Sequence, residues 1–182
     1  KEIKIGYNYG TQIADLQLES PRNLLCHGLT ENIANNTNLD GYYLTIVFHQ
    51  NQEQDQFIKI IESIIQKFKD YIISFGLHSK DMNLDKLNPF VYKKNTYHKD
   101  EYTPILYLKC SFDRLKKNIL TKFINEQESK MVNPYMCLNK RMNVKTCIYF
   151  DCIKIGDKIL MNLEATECRF KLLFTSPKRS LL

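Results

Sequence analysis

Val144-Lys145-Thr146-Cys147-Ile148-Tyr149-Phe150-Asp151-Cys152-Ile153-Lys154-Ile155-Gly156-Asp157-Lys158-Ile159-Leu160-Met161-Asn162-Leu163-Glu164-Ala165 is the stretch on which the fold turns. Side chains alternate in character along both arms, as they do in strands with one buried face. In the first arm Thr146, Ile148, Phe150 and Cys152 form the predicted core face, and Lys145, Cys147, Tyr149, Asp151 and Ile153 form the other. In the second arm Ile159, Met161, Leu163 and Ala165 separate from Lys158, Leu160, Asn162 and Glu164. Gly156-Asp157 reads as a two-residue hairpin loop with Gly first, which suits a type II′ turn. Residues 167–174 extend the second arm as a strand or edge.

Upstream, Ile105-Leu106-Tyr107-Leu108-Lys109-Cys110-Ser111-Phe112 also has period two. A basic turn, Asp113-Arg114-Leu115-Lys116-Lys117-Asn118, leads to a returning partner over 119–124. Tyr42-Tyr43-Leu44-Thr45-Ile46-Val47-Phe48 is β-branched and aromatic and follows the Asp40-Gly41 turn signal, so it predicts another strand. Residues 1–20 read as an edge strand or arm. Residues 24–33 are too short and mixed to assign, and 77–103 read as loop.

One helix stands out, from about Gln54 to Phe75, as an insertion at about 53–76. Phe57, Ile58, Ile60, Ile61, Ile64, Ile65, Phe68, Tyr71, Ile72 and Phe75 follow the i, i+3, i+4, i+7 rule, and Gly76 is a natural terminator. Antiparallel strands joined by short turns exclude a doubly wound sheet, which needs a helix at each crossover. The expected fold over 1–182 is therefore α+β, mainly β: one domain, an oligonucleotide-binding (OB)-like antiparallel barrel with one long amphipathic helix.

Apolar residues make up 43% of the 182 and charged residues 25%, so the chain can bury a core and is not wholly disordered. No apolar run approaches the ~20 residues of a membrane span, and the opening residues lack a leader-like apolar stretch. Charge is uneven. Residues 1–91 carry 8 Lys/Arg against 11 Asp/Glu, whereas 92–182 carry 18 against 9. Such asymmetry points to a polyanionic partner for the second half. The six cysteines form no CxxC pair, so free thiols in a reducing, cytoplasmic setting are expected, with no metal and no cofactor.

No phosphate loop, dinucleotide fingerprint, nucleophile elbow or deaminase zinc box occurs, so no catalytic residue is assigned. Binding chemistry is better supplied. Cations track phosphates and aromatic faces stack on unpaired bases. The candidate nucleic-acid-binding residues are Lys93, Lys94, Tyr97, Tyr107, Lys109, Arg114, Lys116, Lys117, Lys122, Lys140, Arg141, Lys145, Tyr149, Lys154 and Lys158. Within them, alternation makes Tyr107 with Lys109, and Tyr149 with Lys145, the pairs expected to project from the sheet. The 93–99 and 113–118 loops are the expected clamps.

The segment 143–164, preceded by Ser20-Pro21-Arg22-Asn23-Leu24-Leu25, the helix around 60–68 and the strand Pro104-Ile105-Leu106-Tyr107-Leu108-Lys109, resembles replicative single-stranded-DNA-binding proteins of large cytoplasmic DNA viruses and related yeast cytoplasmic linear plasmids. The correspondence spans roughly residues 20–172. It implies an OB-type fold, sequence-tolerant binding of single-stranded DNA (or RNA), a role protecting strands during DNA replication in a host cytoplasm, and partners among replication proteins or further copies of the chain, with no membrane. Two other classes are weighed: an interaction or scaffold module using the Ile-rich helix, and a nuclease with scattered carboxylates.

Overall fold

The computed structural model describes residues 1–9, 12–34, 38–49, 51–77, 82–94 and 101–173. Four short strands come first: β1 (Glu2–Lys4), β2 (Gly6–Tyr9), β3 (Gln12–Asp15) and β4 (Gln17–Glu19). Two long ones follow, β5 (Leu24–Ala34) and β6 (Asn38–Val47), then the helix α1 (Gln52–Ser74). After a 3-10 turn at Leu84–Leu87 come β7 (Phe90–Lys94), β8 (Tyr102–Cys110), β9 (Phe112–Asp113), β10 (Asn118–Ile119), β11 (Lys122–Asn125) and β12 (Lys130–Met131). A second 3-10 turn, Pro134–Cys137, precedes β13 (Met142–Ile155) and β14 (Ile159–Leu172).

The chain is α+β and mainly β. Five strands close a barrel in the order β5-β6-β8-β14-β13, with β13 returning to β5. Four of the five pairings are antiparallel, but β14 runs parallel to β8 (Glu164 beside Lys109, Ala165 beside Cys110), so the expected wholly antiparallel barrel is corrected at that seam. Alternation fills the interior. Thr146, Ile148, Phe150 and Cys152 of β13 are buried, as the sequence predicts, and so is Val144; Val144, Ile148 and Phe150 join Leu24, Leu44, Ile46, Leu106, Leu108, Leu163 and Phe170 in the core.

Bulges bend the long strands enough to close. Along β13–β14 the register shifts between Cys147 and Ile148 and between Phe150 and Cys152. The second shift turns Ile153, expected on the outer face, to a buried position. The hairpin loop is Gly156-Asp157-Lys158, since Ile155 pairs with Ile159. It is a three-residue loop, and Gly156 does not take the positive φ that a type II′ turn places at its first position.

Three other expectations change. Residues 24–33 are the barrel strand β5; their alternation is broken by a bulge in which His27 and Gly28 stand opposite the single Thr45. Part of 77–103 is the strand β7, paired with β8. The return after the basic turn is only the two-residue β10, paired with β9, and β11 runs parallel beside β14. Buried Thr121 fixes that divergence: its hydroxyl donates to Ala165 O at 2.6 Å and accepts from Ser111 N–H at 2.9 Å.

The helix begins where Asn51 Oδ1 accepts from Gln54 N–H at 3.0 Å. It ends in a Schellman motif, with Leu77 N–H on Ile72 O and Gly76 N–H on Ile73 O, both at 3.0 Å, and Gly76 at φ +58°. Phe57, Ile58, Ile61, Ile65 and Ile72 enter the core, where Phe57 stacks on Phe48 and Phe48 meets Phe90 edge-on. Lys69 to Asp85 (2.7 Å) and Tyr92 Oη to Glu62 (2.9 Å) hold the helix against the β7 region. No helix among the described residues is long and apolar enough to cross a membrane.

Two glycines separate conformational strain from crowding. Gly28 has φ +99°, and a Cβ there would lie 2.6 Å from Lys140 N and 2.9 Å from Cys137 O; at Gly76 a Cβ meets nothing within 4 Å. Gly76→Ala is expected to cost about 1–2 kcal/mol, the left-handed penalty alone. Gly28→Ala adds a backbone clash and is expected to cost at least about 3 kcal/mol. Urea unfolding of the two variants checks the ordering; equal losses would contradict it.

Candidate nucleic-acid interface

Because Leu106, Leu108 and Cys110 point into the barrel, Tyr107 and Lys109 must point out. Both are exposed, Tyr107 at 41%. By the same parity, Tyr43 and Thr45 of β6 point outward between buried Tyr42, Leu44 and Ile46. Tyr43 pairs with Lys109 and Thr45 with Tyr107 across the ladder. The Tyr43 and Tyr107 rings meet edge-to-face at 5.8 Å, and Lys93 Nζ stands 5.9 Å from the Tyr107 ring centre.

Beside this pair lies a groove of about 390 Å³ lined by Lys86, Asn88, Pro89, Tyr107, Lys109, Lys154 and residues 160–163 of β14. Lys94 continues along β7, and Lys158 stands exposed on the β13–β14 loop. On the other side of Tyr107, the sheet runs through Thr45 to His27 in the β5 bulge. Met142 pairs with Cys26, so Arg141, one residue earlier, comes beside His27, one residue later. Lys140 packs its backbone on Gly28.

Charge pairing divides the predicted residues. Among the described residues, Lys93, Lys94, Lys109, Lys116, Lys117, Lys122, Lys140, Arg141, Lys154 and Lys158, and with them Lys86, make no ion pair within 4 Å. The nearest ladder carboxylate, Glu164, takes a hydrogen bond from Asn162 and leaves Lys109 free. Arg114, by contrast, is bound to Asp40, and Lys145 to Glu19.

Lys145 and Tyr149 therefore do not form the expected platform. Tyr149 is half-buried, its ladder partners are Gln17 and Glu164, and burial with nearby Asp15 and Asp151 raises its phenol pKa. A ring in that acidic setting is a poor neighbour for a phosphate. Lys116 and Lys117 occupy the turn between β9 and β10, where Lys117 O accepts from Tyr135 Oη, and Lys122 lies on β11 opposite Glu167; none of them lines the groove. Tyr97, with the rest of the 95–99 clamp, lies outside the described residues. Tyr43, Lys86 and His27 were missed. Tyr43 was legible from period two; the other two reach the face only through a 3-10 turn and a bulge.

The thiols offer little nucleophilic chemistry. Burial pushes Cys26 and Cys110 up to about 12 and Cys137 and Cys152 up to about 11, and raises Cys168 well above its ordinary value. All six are free, and only Cys147 is not buried; it donates to Gln17 Oε1 at 3.3 Å. Among the described residues no cluster of His, Cys, Asp or Glu can hold a metal ion. A protonated, buried thiol reacts slowly. Titration of the folded protein with a disulfide reagent is expected to modify Cys147 quickly and the rest only on unfolding. Fast modification of Cys26 or Cys168 in the folded state would contradict this.

No curated protein matches the chain. Residues 1–181 match the family described as "Protein of unknown function (DUF2738)", and with nearly its whole length matched, the chain belongs to that family.

Proposed function

We propose that this protein binds single-stranded DNA without catalysing a reaction, with little sequence preference, and protects exposed strands during replication. The observation that carries the reading is the stripe of unpaired cations that runs past two outward tyrosines on β6 and β8. Surface cations usually find carboxylates when these are near, and Arg114, Lys145, Arg169 and Lys171 do so here. A row left without counter-charges attracts an external polyanion and gains entropy as that polymer sheds its counterions. The Tyr43 and Tyr107 rings supply flat surfaces for unstacked bases, whatever their identity.

The barrel connectivity supports an OB-type assignment. Numbered along the barrel, β5, β6, β8, β13 and β14 are strands one to five, joined in the order 1-2-3-5-4 and closing on 1. The OB barrel binds oligonucleotides on the face of its strands two and three and on the loop between strands four and five. In this chain those are β6, β8 and the loop carrying Lys158. The interaction-module reading has less behind it: α1 buries Ile58, Ile61, Ile65 and Ile72 and leaves Ile60, Tyr71, Ile73 and Phe75 exposed toward its outer side and end.

Fluorescence anisotropy with labelled oligo-dT over a salt series tests the proposal. Affinity is expected to fall steeply with salt, each phosphate contact contributing about 0.7 to the log–log slope. The double variant Lys109→Ala/Lys154→Ala is expected to flatten that slope by about 1.4, and Tyr107→Ala to cost about 1–3 kcal/mol. Arg169→Ala/Lys171→Ala removes cations already paired with Glu167 and Glu126 and is expected to leave the slope near wild type. Salt-independent binding, or full affinity in Tyr107→Ala, would overturn the assignment.

A further inference from the structure

The β5 bulge adds a feature that the tyrosines and lysines of the groove do not explain. Two residues, His27 and Gly28, occupy the space of one opposite Thr45. Gly28 takes up the strain at φ +99° and lets the Cys137–Lys140 backbone pack onto it, which brings Arg141 alongside. His27 is exposed, and it makes no hydrogen bond or ion pair among the described residues. The charged groups facing it are both cations: Arg141 from the segment entering β13 and Lys93 from β7; β6 contributes only Thr45. Three nitrogen-bearing side chains thus converge without a carboxylate among them, two ladder steps from Tyr107 by way of Thr45.

We propose that this bulge is a phosphate site: His27, Arg141 and Lys93 hold one phosphodiester of the bound strand, and His27 takes up a proton as the phosphate arrives. The proposal rests on the reading of this face as a single-strand-binding surface. A β-bulge interrupts the ladder, and bulges recur where a side chain must be re-aimed. Here the re-aimed side chain is a histidine, which titrates near neutral pH. Without a ligand, partial desolvation and the charges of Arg141 and Lys93 lower its proton affinity. A phosphodiester between them reverses that balance. The bound form therefore carries more protons than the free form, and binding tightens as pH falls.

The test is oligo-dT affinity between about pH 8 and about pH 5.5 at fixed low salt, for wild type, His27→Gln and His49→Gln, with the His27 ring resonance followed by NMR in both states. Wild type and His49→Gln are expected to gain about tenfold in affinity on acidification, corresponding to a rise of roughly one unit in the His27 pKa on binding. His27→Gln is expected to bind with a flat profile. If wild type binds oligo-dT but its pH profile overlays that of His27→Gln, or the ring titrates identically free and bound, the phosphate site is overturned while the strand-binding reading stands. If no variant binds oligo-dT at low salt at any pH, both fall.

Discussion

β14 is hydrogen-bonded on both edges, antiparallel to β13 and parallel to β8, and the barrel depends on that double engagement. Without the β8 seam, the sheet would end in an open edge, and the outward residues of β6 and β8 would lie on a flatter, looser surface. The seam is short, two ladder pairs, and it is braced from inside by Leu108, Leu163 and Ala165 and from the side by buried Thr121. Bulges on β5, β13 and β14 supply the curvature that lets strands of ten and more residues close around so small a core. Closure sets the position of every outward side chain on the candidate interface, including the ring pair and the histidine.

The same curvature explains which parts of the fold were legible in the sequence. Helix α1 was, because its period is continuous and Gly76 stops it. The long hairpin was, because Thr146 to Phe150 alternate without interruption on the β13 side. Strand β5 was not: the His27-Gly28 bulge and the polar Glu31-Asn32 pair break its period, and the physics that uses them, the approach of the Cys137–Lys140 backbone, is a contact over a hundred residues away. The hairpin loop was misjudged by one residue for a related reason, since bulges alter the register that a loop must close. The parallel pairing of β11 with β14 leaves no local signal.

The candidate site divides along the same line. Tyr107 and Lys109 follow from parity alone, and Lys93, Lys154 and Lys158 from their place on strands or loops near them. Lys145 and Tyr149 have equally good parity, yet the segment 12–19 brings Asp15, Gln17 and Glu19 to them. Composition records that the second half of the chain is basic; it does not record that the acidic first half wraps across part of it. The informative quantity is therefore the number of cations left without a partner after folding, not the net charge. On this measure the β6–β8 face, extended by the β5 bulge, gathers unpaired Lys93, Lys109, Arg141 and Lys154, whereas Lys145, Arg169 and Lys171 on the outer side of β13 and β14 are neutralised.

A backbone amide chemical-shift map, recorded with and without saturating oligo-dT, measures directly whether that face is the one a nucleic acid strand covers. Shifts are expected to concentrate at Tyr43–Thr45, Tyr107–Lys109, the His27–Gly28 bulge and the loop around Lys158, with β11, β12 and the outer side of α1 unmoved. Shifts centred on α1 or on β4 and β11, with the β6–β8 face silent, would contradict it.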